Sequence, residues 1–113
     1  MTVLFTFATT VRQGREASYD EIHRVTPVEL DRVIRAAGTH FWRIERDGIN
    51  LFHFVEVDEI DRFDAVLDAS EVNARWQLVV GPLLVGGGAA ERTIVEGFEF
   101  GQGELVWVLP AED

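Results

Sequence analysis

A tyrosine and a histidine four residues apart are the side chains in this sequence best suited to acid/base chemistry. Tyr19 and His23 lie in a stretch that Ser18 and Glu21, spaced as a capping box, predict to be helical from about residue 19. Side chains at i and i+4 are neighbours on a helix, so the phenol and the imidazole would share one face. An imidazole titrates near neutrality and is the commonest general acid or base. His23 is therefore a candidate catalytic residue, beside the plainer alternative of a buried histidine that only satisfies a hydrogen bond.

A second capping pattern follows almost at once and limits the length of the first helix. Thr26 and Glu29 have capping-box spacing, and Pro27 would be the first helical residue of a longer helix that ends near Ala37. The first helix must then be short, so His23 would lie close to its C-terminal end. The helix dipole favours a positive charge there, and we expect it to stabilise the imidazolium form.

Two strands at residues 40–46 and 50–57 are predicted to form a hairpin around the turn-forming pair Asp47-Gly48. A turn of even length matches the faces of the two strands by parity. One face of the hairpin would then carry His40, Trp42, Ile44, Leu51, His53 and Val55. The opposite face would carry Phe41, Arg43, Glu45, Phe52, Phe54 and Glu56.

The order of the predicted elements indicates the architecture. The further elements are a strand at 2–8, helices that open at Asp58 or Glu59 and at Ser70, and strands near 92–100 and 103–109. The order β-α-β-β-α-β with a trailing strand is an α+β, ferredoxin-like plan with helices on one side of the sheet. We expect one domain over residues 1–113. The uncovered side would expose aromatic rings, so we predict a homodimer that buries Phe41, Phe52 and Phe54.

Composition excludes several classes of partner. With 20 acidic and 10 basic residues the chain has a formal net charge of −10, so it lacks the basic surface that nucleic acids and anionic membranes require. No segment reaches the roughly 20 apolar residues of a membrane span. The absence of cysteine excludes disulfides and cysteine-bound zinc. We expect a cytoplasmic protein that binds a neutral small molecule.

Metal and phosphate sites have little support in the sequence. His23, His40 and His53 are a conceivable zinc-binding set, but they lack tight ligand spacing such as H-x-x-x-H. The glycine run Gly86–Gly88 continues into Ala-Ala-Glu, without the Gly-Lys-Ser/Thr of a phosphate-binding loop. We interpret this run as a flexible lid or connection, and we predict no metal and no cofactor.

Taken together, these residues resemble the L-rhamnose mutarotase family, small dimeric α+β-barrel proteins that interconvert sugar anomers. The resemblance covers residues 15–83 and, at the end of the chain, 105–110. Four segments carry the resemblance. They are a Tyr-x-x-x-His segment before Glu-Leu, a Gly-x-His-x-aromatic segment, a strand and a Val-x-x-Arg-Trp segment. The matching residues are Tyr19, His23, Glu29, Leu30, Gly38, His40, Trp42, Leu51, Phe52, Val55, Glu56, Val72, Arg75 and Trp76.

The resemblance implies roles for several of these residues. His23 would be the acid/base, while the rings of Tyr19, Trp42 and Trp76 would bind the sugar. Trp42 and Trp76 could equally be core residues, since large aromatic side chains dominate cores. To this set we add Gln77, which could hydrogen-bond a hydroxyl group, and His53, which parity places on the Trp42 face.

The sequence also departs from the family pattern. Pro27-Val28 stands where the family has Trp-Pro, Ile22 replaces a frequent arginine, and Gln77 replaces a frequent second aromatic residue. Part of the sugar-stacking surface is therefore altered, and three functions stay open. The first is a cofactor-free mutarotase acting on a 6-deoxyhexose such as L-rhamnose. The second is a cofactor-independent monooxygenase or cyclase acting on an aromatic or polyketide substrate in the same fold. The third is a dimer that binds a ligand without turnover.

Overall fold

Each crossover between the strands is made by a pair of helices. The computed structural model describes residues 2–88, 92–95, 101 and 103–109. Its strands are β1 (Val3–Thr10), β2 (Thr39–Asp47), β3 (Asn50–Val57), β4 (Arg92–Val95) and β5 (Glu104–Leu109). Its helices are α1 (Glu16–Arg24), α2 (Val28–Ala36), α3 (Ile60–Asp68) and α4 (Glu71–Val80). Within these residues, none of the helices is long and apolar enough to cross a membrane.

The strands form one antiparallel sheet in the order β4-β1-β3-β2-β5. The first four strands in this order are those of a ferredoxin-like sheet, and β5 extends the β2 edge as the predicted trailing strand. The ferredoxin-like α+β prediction is confirmed. The strand predicted near 92–100 is observed as β4, and residues 96–100 lie outside the described part of the chain.

The parity assignment of the hairpin is confirmed, with one exception. Trp42 lies opposite Val55, and Ile44 lies opposite His53, so these side chains share a face. The exception is His40, which lies at a register shift between residues 39 and 41 and is exposed. A bulge of this kind adds a residue to one strand and redirects its side chain. His40 turns to solvent and places its Nε2 atom 2.6 Å from Oδ1 of Asp58.

Two of the three predicted helix caps are not formed. The first helix begins at Glu16, because the N–H of Tyr19 already donates to the carbonyl oxygen of Arg15. Ser18 therefore lies inside the helix and cannot be its N-cap. The second helix begins at Val28 with Pro27 as the capping residue, and no side chain caps it. Ser70 does cap α4, where its Oγ accepts a hydrogen bond of 3.1 Å from the N–H of Asn73.

All four helices pack on the sheet face that carries Trp42 and His53. Tyr19 of α1 joins a core cluster with Ile44 and Leu51, and Phe63 of α3 joins another with Phe5 and Val55. A third cluster holds Leu30 and Ile34 of α2 against Leu109. Trp42 packs against all three clusters. The indole at position 42 is therefore a central contact between the helical layer and the sheet.

The opposite face of the sheet is less open than the sequence suggested. Phe54 is buried within one chain, whereas Phe41 and Phe52 are half-buried. Glu45 is fully buried on this face and accepts hydrogen bonds from Arg43 Nε at 2.7 Å and from the N–H of Gly101 at 3.0 Å. A buried carboxylate needs such partners, since an unpaired charge is costly away from water.

Candidate functional site

A cavity of about 160 Å³ lies between the helices and the sheet. A cavity of roughly 150 Å³ accommodates one benzene ring, so this volume suits a ligand built on a single six-membered ring. Within the described residues its walls contain no Asp, Glu, Lys or Arg side chain. The aromatic side chains in the wall, apart from Tyr19 and the histidines, are Phe7, Trp42, Trp76 and Trp107. Its polar lining residues are Thr9, Tyr19, His23, Thr26, His53, Asn73 and Gln77.

His23 presents one free ring nitrogen in this cavity. Its Nδ1 atom lies 2.7 Å from the carbonyl oxygen of Tyr19, one helical turn earlier. A carbonyl oxygen can only accept, so Nδ1 carries the proton and Nε2 of the neutral ring is the basic atom. Nε2 has no hydrogen-bond partner among the residues that the structure describes. His23 therefore lines the cavity with the lone pair that a general base needs.

Burial sets the charge of His23. Loss of hydration lowers its pKa below the ordinary 6.5, and this outweighs the Tyr19 carbonyl and the negative charge of Asp20, which act in the opposite direction. The expectation that the helix dipole stabilises the imidazolium form is wrong, because the ring is buried among apolar side chains and is only 5% exposed. His23 is thus neutral near pH 7.

Tyr19 and Trp76 flank the imidazole of His23. The ring centroids of Tyr19 and His23 are 4.2 Å apart, which confirms that the i, i+4 pair shares a face. The Trp76 ring meets His23 nearly at right angles, with the centroids 5.3 Å apart. Burial, with a smaller effect of Asp20, raises the pKa of the Tyr19 phenol above its usual value of 10. The phenol of Tyr19 is therefore neutral near pH 7.

His53 lies on the sheet side of the cavity with both ring nitrogens engaged. Nε1 of Trp42 donates to its Nδ1 atom across 3.3 Å, and its Nε2 atom lies 3.1 Å from Oγ1 of Thr9. Phe7 stacks on the ring, with the centroids 4.1 Å apart. Burial, and secondarily repulsion from a protonated His23 in acid, lowers the pKa of His53 to about 3. His53 lines the cavity as a neutral imidazole.

Gln77 lies at the exposed edge of the cavity, on α4. Its amide Nε2 is 3.4 Å from Oδ1 of Asn73, whose own Nδ2 donates to the carbonyl oxygen of Leu67 at 3.2 Å. Asn73 thereby fixes the orientation of the longer amide. Gly87 and Gly88 also line the cavity, so part of the glycine run that we interpreted as a lid or connection contacts the site.

The three histidines do not form one site. His23 and His53 line the cavity, whereas His40 is exposed and paired with Asp58. In the described part of the chain, no group of three His, Cys, Asp or Glu residues is arranged to hold a metal ion. The conceivable three-histidine zinc set is therefore not assembled in this fold.

Several lining residues were not identified from the sequence. Thr9, Thr26, Asn73 and Trp107 all contribute to the cavity wall. Trp107 lies opposite Ile44 because β5 pairs with β2, a pairing that no local pattern indicates. Asn73 follows the helix cap Ser70 by three residues, and that spacing was the one available signal for its position on the first turn of α4.

The comparison with protein families agrees with this geometry. The family model described as L-rhamnose mutarotase matches residues 5–98. The matched region contains the segments Tyr19–His23 and Trp76–Gln77, and it leaves out the resemblance at residues 105–110. No individually curated protein matches the chain.

Solved structures share the fold at low sequence identity. An L-rhamnose mutarotase from Formosa agariphila superposes with a TM-score of 0.66 and 17% identity, over 88% of this chain and 98% of that one. A candidate antibiotic biosynthesis monooxygenase from Bordetella bronchiseptica has a TM-score of 0.63 and 18% identity, over 81% and 94% of the two chains. One from Nitrosomonas europaea has a TM-score of 0.62 and 13% identity, over 85% and 89%.

At these identities the structures show the fold and leave the reaction open, since one fold hosts several chemistries. The family match is independent of them and spans most of the sequence. On that match, the chain belongs to the L-rhamnose mutarotase family and is an isomerase of the aldose mutarotase type.

Proposed function

We propose that this protein interconverts the α and β anomers of a 6-deoxyhexose such as L-rhamnose, with His23 as the general acid/base. The observation that carries the proposal is the free Nε2 atom of a neutral His23 in an uncharged, aromatic-walled cavity. A neutral sugar needs no ionic partner. Its C–H surface packs on aromatic faces, and its hydroxyl groups need a few polar side chains.

One imidazole can carry both proton transfers of the reaction. Nε2 of His23 takes the proton of the anomeric hydroxyl and, as imidazolium, delivers it to the ring oxygen while the C1–O5 bond breaks. The open-chain aldehyde rotates about C1–C2, and the reverse transfers close the ring on the other face. No proton is gained or lost overall. General acid/base help of this kind is worth about 10²–10⁴-fold.

The remaining predicted residues fit binding roles around this base. Tyr19 supplies a neutral hydroxyl group, and the rings of Trp42 and Trp76 supply flat apolar surface. Gln77 supplies an amide at the exposed edge, where a sugar hydroxyl would enter. The 6-methyl group of a 6-deoxyhexose suits the apolar lining better than a hydroxymethyl group, because the latter would need another polar partner.

Saturation-transfer NMR of the anomeric protons of L-rhamnose tests this function. We expect the wild-type protein to accelerate anomer exchange and His23→Ala to lose that acceleration. His40→Ala is the matched control, because His40 is exposed and lies outside the cavity. Unchanged exchange rates for rhamnose, fucose and related aldoses with the wild-type protein would contradict the proposal.

We also propose that two copies pair through the open face of the sheet as a dimeric α+β barrel. Phe41 and Phe52 support this interface because they are only half-buried in one chain, and Phe54 lies between them on the same face. Phe52→Glu should shift the molar mass measured by light scattering from dimer to monomer, whereas Glu59→Gln, an exposed change, should not. A monomeric wild type would refute the pairing.

A cytoplasmic location and a single domain over residues 1–113 remain predictions.

A second candidate is a cofactor-independent monooxygenase or cyclase that acts on an aromatic or polyketide substrate. The abundance of indole and phenyl rings in the cavity favours it, since such walls also bind planar aromatic ligands. A thermal-shift screen separates the two candidates: sugars stabilise the mutarotase, and hydrophobic aromatics stabilise the alternative. Tight binding without turnover, unchanged in affinity by His23→Ala, would indicate a non-catalytic binding protein.

A further inference from the structure

We infer that Thr9 is a ligand-binding residue whose hydroxyl group acts as a hydrogen-bond donor, and that His53 and Trp42 are positioning residues that impose this direction. The site would take a ligand oxygen that accepts a hydrogen bond. The identification of that oxygen as part of a sugar rests on the proposed function. The direction of the hydrogen bonds rests on the structure alone.

The first step is the proton on His53. The indole N–H of Trp42 can only donate, and it lies 3.3 Å from Nδ1 of His53. Nδ1 must therefore be an acceptor without a proton. A neutral imidazole carries one proton, so that proton is on Nε2. Burial makes this neutral form the only relevant one near pH 7.

The second step is the direction of the bond to Thr9. Nε2 of His53 lies 3.1 Å from Oγ1 of Thr9 and, with its proton in place, donates to that oxygen. The reverse arrangement, in which Thr9 donates to Nε2, would leave both ring nitrogens without a proton. That state is an imidazolate, which is not accessible near neutral pH. The hydrogen of the Thr9 hydroxyl is therefore not used in this bond.

The third step is the availability of that hydrogen. Among the described residues, the Thr9 hydroxyl has no hydrogen-bond partner other than His53. Its side chain lines the cavity. A buried donor without a partner is costly, so the position is satisfied when a ligand or water oxygen accepts from it. The series of hydrogen bonds from Trp42 to His53 to Thr9 thus ends in the Thr9 hydroxyl group, a donor that lines the cavity.

The side chains of Thr9, His53 and Trp42 are held rigidly, so the direction of their hydrogen bonds is fixed. Thr9, His53 and Trp42 lie on three adjacent strands, β1, β3 and β2. Phe7 stacks on the imidazole with an interplanar angle of 12°, which restricts rotation of the ring. Groups held on strands and locked by neighbouring side chains keep their geometry better than groups on loops.

The consequence is a selectivity for acceptor oxygens on the sheet side of the cavity. A pyranose ring oxygen and an aldehyde oxygen are acceptors only, and a hydroxyl oxygen can also accept. A protonated amine has no lone pair to accept the Thr9 hydrogen, so it would leave that donor unpaired and bind less well at this position. The direct contact predicted for His53 would then be made through Thr9.

The direction of the hydrogen bonds from Trp42 through His53 to Thr9 can be determined without any ligand. In a long-range ¹⁵N–¹H spectrum of the histidine rings at pH 7, we expect His53 to carry its proton on Nε2 and His23 to carry it on Nδ1. The two histidines serve as opposite references in one spectrum. Trp42→Phe should allow the Nδ1-protonated form of His53 to appear. A wild-type His53 protonated on Nδ1 would overturn the inference.

The role of Thr9 is tested by Thr9→Val, which keeps the shape and removes the hydroxyl group. We expect the KM for L-rhamnose to rise by about 3- to 10-fold with little change in kcat, as for loss of one neutral hydrogen bond. Thr9→Ser should recover most of this loss. Thr6→Val is the matched control, since Thr6 lies on the opposite face of the same strand. A purely structural role would lower stability and leave KM unchanged.

The outcomes separate this inference from the proposed function. Unchanged KM and binding affinity in a folded Thr9→Val protein overturn the inference and leave the mutarotase proposal standing. If the wild type neither binds L-rhamnose nor accelerates its exchange, the proposed function fails. The His53 tautomer in the wild type then still decides the hydrogen-bond direction, including in the case that Thr9→Val does not fold.

Discussion

The imidazole of His23 is anchored to the carbonyl oxygen of Tyr19, one helical turn before it, by a hydrogen bond of 2.7 Å. This anchor orients the ring and assigns its proton to Nδ1, so that Nε2 is the atom offered to the cavity. Burial keeps the ring neutral. The same turn of α1 thus determines both the position and the protonation state of the candidate base.

The first prediction concerns the pH dependence of anomer exchange. The proposed mechanism requires the base form of His23, and burial lowers the pKa of this ring, so kcat/KM should be constant around pH 7. It should fall on acidification, with an apparent pKa below the ordinary 6.5. Exchange rates measured by NMR across this range check the profile. A decline that begins above pH 6.5 would show that His23 is not the titrating base.

The second prediction concerns stability in acid. The pKa of His53 is about 3 in the folded chain against 6.5 for the free side chain, so the unfolded chain takes up the proton first as the pH falls. The stability that the neutral His53 ring contributes to the folded chain is fully present above pH 6.5 and is lost progressively towards pH 3. The loss is about 1.4 kcal/mol per pH unit.

Urea unfolding at several pH values measures this slope. His53→Gln is the informative variant, because glutamine can accept from Trp42 and donate to Thr9 without titrating. The difference in unfolding free energy between wild type and variant should shrink as the pH falls below 6.5. Parallel curves for wild type and His53→Gln would contradict the assignment.

The third prediction concerns Glu45, the carboxylate that is fully buried on the open face of the sheet. It binds Arg43 within β2 and joins β2 to the segment before β5 through the N–H groups of Gly101 and Gly103. Glu45→Ala should reduce the free energy of unfolding by about 2–4 kcal/mol, because it removes a buried charged acceptor from the Arg43 guanidinium and from the two amides. Glu45→Gln, which keeps one acceptor oxygen, should cost less. Equal stability of the alanine variant and the wild type would be incompatible with this role.

The fourth prediction compares two serines that the sequence predicts to lie at helix starts, Ser18 and Ser70. Ser70 accepts a hydrogen bond from the N–H of Asn73, whereas Ser18 lies inside α1. Ser70→Ala should lower stability by about 1 kcal/mol. Ser18→Ala should be neutral or slightly stabilising, because alanine is the better helix former. Thermal unfolding of both variants tests this difference, and a larger loss at Ser18 would show that α1 begins later.

Local patterns determined much of the site. The spacing of Tyr19 and His23 was sufficient to place both rings on one helix face, because helical periodicity is a local property. The even-length hairpin turn was sufficient to place Trp42 and His53 on the same side of the sheet, because side chains alternate along a strand. His40 shows the limit of that rule, since one bulge removed it from the shared face.

The tertiary structure decided what local patterns do not encode. Thr9 reaches His53 because β1 pairs with β3, and Trp107 reaches the cavity because β5 pairs with β2. Both pairings join residues far apart in the sequence. Burial likewise reversed the expected charge preference of His23, because the loss of hydration outweighs the Tyr19 carbonyl and the negative charge of Asp20. The sequence by itself thus determined which groups could act as acid, base or sugar-stacking surface. Only the packed chain decided their protonation, their partners and the direction of their hydrogen bonds, because those depend on which distant side chains exclude water.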